Sequence, residues 1–177
     1  MCAELRLLPD PDGGPPGSGD RDGGPPDGGP PDGDGGPRGP IRVLLADDHA
    51  GVRRSLRQVL DGEQNIAVIA EAHDLPSLLH ELDRQPAVLA LDPSLEGSSG
   101  SETLLHLREQ APAAQIVVLS MHDDPGLARQ ALRAGAIGFV LKEMAASDLP
   151  SAIRDAAAGR RYVSPRIATR MSRRDEL

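Results

Sequence analysis

The chain has 177 residues and a net charge of -8, and its composition changes sharply after residue 40. Residues 1–40 hold 12 of the 20 glycines and 10 of the 17 prolines, with eight acidic residues against three arginines. This segment has too few large apolar side chains to offset the entropy of ordering, so we predict a disordered Gly/Pro/Asp-rich tail over residues 1–40. The remaining length suits one domain, so we expect a single folded domain in this sequence.

Several functional classes are excluded by the body of the chain. Residues 41–177 carry 19 acidic against 16 basic side chains, a poor balance for binding a phosphate backbone directly. No apolar run approaches the length of a membrane helix, so we expect no membrane partner. The N-terminus lacks a signal-peptide pattern, and the single cysteine, Cys2, cannot form an intramolecular disulfide. These features predict a protein of the cytoplasm.

Five short apolar runs recur along the body at near-regular spacing. Each has the length of a strand, and most of its residues are apolar on both faces, as in the strands of a covered parallel sheet. We predict strands at residues 41–46, 66–70, 87–91, 115–120 and 136–141.

Segments with helical periodicity lie between and after these runs. The first carries Val52, Leu56, Val59 and Leu60 at helical spacing. Residues that cap or end helices mark the boundaries of the other four. They are Asp74 with Pro76, Ser99 or Ser101, Pro125 with Gly135, and Ser147 with Gly159.

This alternation predicts an α/β fold with a five-stranded parallel sheet and helices on both faces. In such sheets, ligands bind outside the carboxyl ends of the strands, where the strand order reverses. Four of the five predicted strands end in a polar residue. These residues are Asp47 and Asp48, Asp92, Ser120, and Lys142, the only lysine of the chain.

Each of these residues alone is an ordinary turn or surface residue, but together they indicate a site. Aspartates gathered at one edge repel one another unless a cation joins them, and carboxylate oxygens suit Mg²⁺. A carboxylate beside Mg²⁺ can attack a phosphoryl group whose charge the metal and the Lys142 ammonium neutralise. The Ser120 hydroxyl would then face a phosphoryl oxygen.

The motifs around these residues resemble the receiver domain of bacterial two-component response regulators. They are Leu-Leu-Ala-Asp-Asp-His at 44–49, Glu-Ala-His-Asp at 71–74, Leu-Ser-Met-His-Asp-Asp at 119–124 and Ala-Leu-Arg-Ala-Gly-Ala-Ile-Gly-Phe-Val-Leu-Lys at 131–142. The last two, with Ala-Ala-Gly-Arg-Arg-Tyr-Val-Ser-Pro at 157–165, resemble the NarL/FixJ branch in particular. The resemblance covers about residues 40–170 and requires five sites in order.

The resemblance implies a flavodoxin-like (βα)5 fold with strand order 2-1-3-4-5. It implies that Asp92 is the phosphoacceptor and that Lys142 contacts the phosphoryl group. Ser120 would be the switch hydroxyl and Phe139 the switch aromatic. The implied Mg²⁺ ligands are Asp47, Asp48, Asp92 and the backbone carbonyl of Ser94.

The resemblance also implies partners and a domain arrangement. A sensor histidine kinase would donate the phosphoryl group, and phosphorylation would switch an association surface, with a possible homodimer, to regulate transcription. We expect the receiver domain over residues 41–160 and a linker helix, or the start of a missing output domain, over residues 161–177. DNA would be contacted only through an output domain that this chain does not contain.

Two residues beside Asp92 depart from the receiver pattern and leave alternatives open. Pro93 removes a backbone N–H next to the phosphoacceptor, and Glu96 replaces the usual proline. One alternative is therefore a degenerate receiver that acts as a docking or dimerisation domain without phosphorylation. A Mg²⁺-dependent aspartyl-phosphate hydrolase is more remote, because such enzymes need Asp-x-Asp on the first strand. A flavin carrier is disfavoured by the scarcity of aromatic residues.

Overall fold

The fold is described from a computed structural model, which describes residues 39–95, 97 and 100–172. The predicted tail over residues 1–40 falls almost entirely outside the described residues, and so do Glu96 and Ser99. The expected disorder of the tail therefore stays a prediction. The domain boundary at residue 160 also stays a prediction.

Six strands and six α-helices alternate along the described chain. The strands are β1 (Ile41–Ala46), β2 (Ile66–Ala72), β3 (Val88–Leu91), β4 (Gln115–Ser120), β5 (Gly138–Leu141) and β6 (Tyr162–Val163). The helices are α1 (Ala50–Asp61), α2 (Leu75–Glu81), α3 (Ser101–Gln110), α4 (Pro125–Arg133), α5 (Ala145–Ala157) and α6 (Pro165–Ser172). Within the described residues, no helix combines the length and apolar character needed to span a bilayer.

All six strands pair in parallel, in the order β2-β1-β3-β4-β5-β6. The predicted fold class and the strand order 2-1-3-4-5 are confirmed. The sheet has one more strand than expected, because β6 pairs with Gly138 and Phe139 of β5. A strand of two residues is too short to produce a recognisable pattern in the sequence.

Both faces of the sheet are covered by helices, which explains why the strands are apolar throughout. On one face, alternate strand residues such as Leu44, Leu89 and Phe139 pack in a core with residues of α2, α3, α4 and α6. On the other face, residues such as Leu45 and Val140 pack with α1 and α5. Two separate cores therefore hold the strand ends in fixed positions.

Helix boundaries agree with the capping pattern except at α3 and α5. Asp74 caps α2 by accepting a hydrogen bond of 2.8 Å from the backbone N–H of Ser77. Gly135 follows α4 with a φ of 103°, a left-handed conformation that glycine adopts without steric cost. The expected serine cap of α3 is wrong, because Gly100 occupies the N-cap position. Helix α5 begins at Ala145, before the expected start near Ser147.

We predict that shortening a core side chain of β3 destabilises the fold measurably. Leu89→Ala removes a side chain that is 1% exposed, and should lower the free energy of unfolding by about 3 kcal/mol because it leaves a cavity. Leu105→Ala is the matched control, since Leu105 is 55% exposed and its change should cost less than about 0.5 kcal/mol. Urea denaturation measures both values, and equal losses would contradict the assigned core.

Candidate functional site

The site lies where the strand order reverses, between β1 and β3. Ala46 pairs with Leu91 at the ends of these strands, so Asp47 and Asp92 follow side by side. The backbone N–H of Asp92 donates a hydrogen bond of 2.8 Å to the carbonyl oxygen of Ala46. Both aspartates are nearly fully buried. The parallel pairing therefore brings two carboxylates, 45 positions apart in the sequence, into one polar pocket.

Lys142 reaches this pocket from the end of β5. Its Nζ lies 2.5 Å from Asp47 Oδ2 and forms a short contact with Asp92 Oδ2. The lysine side chain is only 5% exposed, so the ammonium is held among carboxylates and shielded from solvent. A single positive charge is thus shared by two buried negative charges.

The ion pairs control the pKa values of these groups. Burial disfavours the charged form of Lys142, but its hydrogen bonds with Asp47 and Asp92 outweigh burial and raise the pKa of Lys142. Burial also opposes ionisation of Asp92, but hydrogen bonds from Lys142 and Ser94 lower the pKa of Asp92 below its usual value. At neutral pH, the site therefore contains a charged lysine and an ionised Asp92.

Ser94 donates two hydrogen bonds to Asp92 at the start of the turn that contains Pro93. Asp92 Oδ1 accepts a bond of 2.8 Å from the backbone N–H of Ser94 and one of 2.7 Å from the Ser94 hydroxyl. The amide and the hydroxyl of Ser94 therefore both hold the Asp92 carboxylate. The Ser94 carbonyl stays a predicted Mg²⁺ ligand, since the contacts that the structure shows use the amide and hydroxyl groups.

A group of possible metal ligands lies at the mouth of the pocket. Asp47, Asp48, His49 and Asp92 each offer one ligand atom, and these atoms lie within 4.8 Å of one another. Asp47 Oδ2 is a buried oxygen that has no hydrogen bond in the described structure apart from its ion pair with Lys142. Asp48 and His49 are exposed, so a cation bound by these ligand atoms could keep waters, as Mg²⁺ does. The residues present therefore fit the implied ion.

Ser120 and Phe139 lie close to the pocket but do not bind Asp92. The Ser120 hydroxyl accepts a hydrogen bond of 3.0 Å from the backbone N–H of His122, in the loop between β4 and α4. Phe139 is 1% exposed and packs in the core on the α4 side. A cavity of about 130 Å³ lies between them, lined also by Leu127 and Gln130. Both residues thus border free space into which side chains can move.

Sequence reasoning missed the residues that support Asp47 from α1. Arg53 donates a hydrogen bond of 2.6 Å to the backbone carbonyl of Asp47 and one of 3.1 Å to Glu71 Oε2. Glu71 also accepts a bond of 2.7 Å from Arg57. Arg53 and Arg57 are four residues apart and share one helix face, and this spacing was the available signal in the sequence. It could not identify their shared partner, Glu71, because Glu71 lies on β2.

The fold and these strand ends define a doubly wound α/β protein with an acidic site at its switch point. Residues 43–154 match the family described as the response regulator receiver domain. The chain therefore belongs to the receiver domain family of two-component response regulators.

The similar proteins are transcriptional regulators of the NarL type. The chain is 34% identical over 131 residues to the transcriptional activator protein ExaE of Pseudomonas putida, covering 73% of this chain and 61% of ExaE. It is 36% identical to the nitrate/nitrite response regulator protein NarP of Escherichia coli, covering 72% of this chain and 60% of NarP. The chain thus spans about 60% of the length of these relatives.

Solved structures agree with this assignment. A LuxR-family two-component response regulator from Aurantimonas has a TM-score of 0.73 and 33% identity, over 78% of this chain and 99% of that one. The receiver domain of the putative response regulator NarL from Mycobacterium tuberculosis has a TM-score of 0.64 and 30% identity, over 69% of this chain and 99% of that one.

We predict that removing the lysine charge destabilises the fold. Lys142→Met leaves Asp47 and Asp92 buried without a cation, so the free energy of unfolding at neutral pH should fall by about 3 kcal/mol. Arg160→Met breaks an exposed ion pair with Asp155 and should cost less than about 1 kcal/mol. Urea denaturation compares them, and a Lys142→Met protein as stable as the wild type would refute the described ion pairs.

The lowered pKa of Asp92 predicts how stability depends on pH. The folded state releases this proton more readily than the unfolded state, whose pKa is about 3.9, so Asp92 stabilises the fold above that pH. This stabilisation is lost as the pH falls through the lower folded pKa. Urea denaturation from pH 6 to pH ~3 should therefore show a steeper loss for the wild type than for Asp92→Asn. Identical slopes would contradict the lowered pKa.

Proposed function

We propose that this domain is a phosphorylation switch of a two-component system, in which a sensor histidine kinase transfers a phosphoryl group to Asp92. The observation that carries the proposal is the buried Lys142 ammonium in contact with both Asp47 and Asp92. A structural ion pair needs only one carboxylate. The second carboxylate and the adjacent Asp48 give the site an excess of negative charge that suits Mg²⁺.

The chain's own residues account for the transfer step. A carboxylate oxygen of Asp92 attacks the phosphorus of the donor, and the bond from phosphorus to the kinase histidine nitrogen breaks. The leaving imidazole then takes up a proton. Lys142 already contacts Asp92 Oδ2 and is placed to pair with a phosphoryl oxygen as negative charge develops. Asp47, Asp48, Asp92 and the Ser94 carbonyl would hold Mg²⁺, which would supply further positive charge at the site when bound.

Phosphorylation would act on the rest of the domain through Ser120 and Phe139. The phosphoryl group adds charge and acceptor oxygens, which attract the Ser120 hydroxyl away from the His122 amide. The 130 Å³ cavity beside Phe139 provides space for this rearrangement. We propose that the resulting change at α4, β5 and α5 alters association, including possible homodimerisation. Because the similar proteins are transcriptional regulators, we assign the output to transcription.

The position of Pro93 supports a second candidate function, a degenerate receiver that acts as a docking domain. It follows the proposed phosphoacceptor directly and also lines the cavity beside Ser120 and Phe139. A ring in this position restricts how the turn can adjust to an added phosphoryl group. The intact hydrogen bonds from Ser94 to Asp92 favour the active switch, since they show that the turn still orients the carboxylate.

Labelling with a small phosphodonor tests the proposal. Incubation with Mg²⁺ and acetyl phosphate should add the mass of one phosphoryl group to the wild type and to Asp61→Asn, an exposed control acid on α1. Asp92→Asn should acquire none. Asp48→Asn should be labelled at least about tenfold more slowly, since removing even an outer partner of a metal ligand costs about 10-fold to 100-fold in affinity. Intact-mass spectrometry over time measures each variant.

Two results would contradict the switch. An unlabelled wild type in Mg²⁺ would leave the docking domain as the function. Release of inorganic phosphate over many turnovers, lost in Asp92→Asn, would instead identify a hydrolase. Removal of Mg²⁺ with a chelator should abolish labelling in every variant.

A further inference from the structure

The C-terminal helix α6 is attached to the two loops that follow Ser120 and Lys142. We propose that Asp123 transmits phosphorylation of Asp92 to α6, so that the helix is held in place in the unphosphorylated protein and loosened in the phosphorylated one. This inference rests on the proposed function and adds to it a named residue and a responding element.

Asp123 is bound by two arginines of α6. Its carboxylate lies 2.7 Å from Nε of Arg166, through Oδ2, and 2.8 Å from a guanidinium nitrogen of Arg170, through Oδ1. Arg170 also donates a hydrogen bond of 2.6 Å to the backbone carbonyl of Asp123. The Asp123 side chain is only 20% exposed, so these contacts are partly shielded from solvent. One loop residue therefore anchors two successive turns of α6.

The same helix contacts the residue that follows Lys142. Arg166 reaches Glu143 at 2.5 Å while it also binds Asp123. The Arg166 guanidinium thus bridges the loop after β4 and the loop after β5. Ser120 ends β4 and Lys142 directly follows β5, and these are the side chains that we propose to contact the phosphoryl group. A displacement of either loop changes the geometry at Arg166.

The inner side of α6 packs in the core that contains Phe139. Ile167 is fully buried there, and Met171 packs against the same cluster. At the base of the helix, the Ser164 hydroxyl accepts a hydrogen bond of 3.1 Å from the backbone N–H of Leu141 and donates one of 2.6 Å to Asp148. This base is buried and held by several contacts, whereas the ion pairs further along the helix depend on a surface loop.

The hydrogen bond between Ser120 and His122 supplies the physical link. His122 directly precedes Asp123, and its backbone N–H is bound to the Ser120 hydroxyl at 3.0 Å. If Ser120 turns toward a phosphoryl group on Asp92, this bond is lost and the backbone at 122–123 is released. Asp123 then no longer holds a fixed position toward Arg166 and Arg170. Phosphorylation and undocking of α6 thereby favour each other, as two linked equilibria must.

Hydrogen exchange of the backbone amides of residues 166–172 tests this coupling. In the wild type with Mg²⁺, acetyl phosphate should raise the exchange rate of these amides by about threefold to tenfold, as expected for losing two partly exposed ion pairs. Asp123→Asn should show the same rise without acetyl phosphate and little further change with it. Asp155→Asn is the matched control, because it breaks the ion pair between Asp155 of α5 and Arg160 and should leave α6 unchanged.

The phosphoryl mass is read from the same samples, which separates the two proposals. Labelled protein whose α6 exchange stays unchanged would overturn the coupling and leave the proposed function intact. An Asp123→Asn protein with wild-type exchange in α6 before labelling would also overturn it. An unlabelled wild type would overturn the proposed function, and the coupling with it. A rise in α6 exchange in Asp92→Asn on adding acetyl phosphate would show that the effect does not come from Asp92.

Discussion

The structure depends on one lysine held between two buried aspartates. Lys142 brings together the ends of β1, β3 and β5, since Asp47 and Asp92 both contact its ammonium. Without that charge, the carboxylates would repel each other in a pocket shielded from water. The same excess of negative charge that makes the pocket costly to fold makes it suitable for a cation, and the Lys142 ammonium is the group that suits a phosphoryl oxygen. Stability and the proposed chemistry thus arise from the same electrostatic constraint.

The sheet topology by itself brings the lysine and the two aspartates together. Parallel pairing places the carboxyl ends of the strands at one edge, and the reversal of order between β1 and β3 opens a crevice there. Two cores, one on each face, fix the strand ends. The positions of the charged side chains are therefore set by apolar packing of the strands. Pro93 and His122, from the segments after Asp92 and Ser120, border the cavity beside Phe139.

The C-terminal part of the described chain extends the domain beyond the five repeating units. Strand β6 adds to the edge of the sheet beside β5, and α6 packs into the core that holds Phe139. Ion pairs from α6 reach the loop after Ser120 and the residue after Lys142. A segment expected to be a linker is therefore in contact with the elements that surround the site.

The sequence by itself determined the alternation of strands and helices, the strand order through the resemblance, and the polar residues at the strand ends. These follow from local periodicity and from single positions such as Asp92 and Lys142, which a linear pattern shows directly. Only the tertiary structure decided that Arg53 supports Asp47, that Ser94 donates two hydrogen bonds to Asp92, and that Asp123 binds α6. Those contacts join side chains whose partners are chosen by packing geometry, and packing leaves no periodic signal in the sequence.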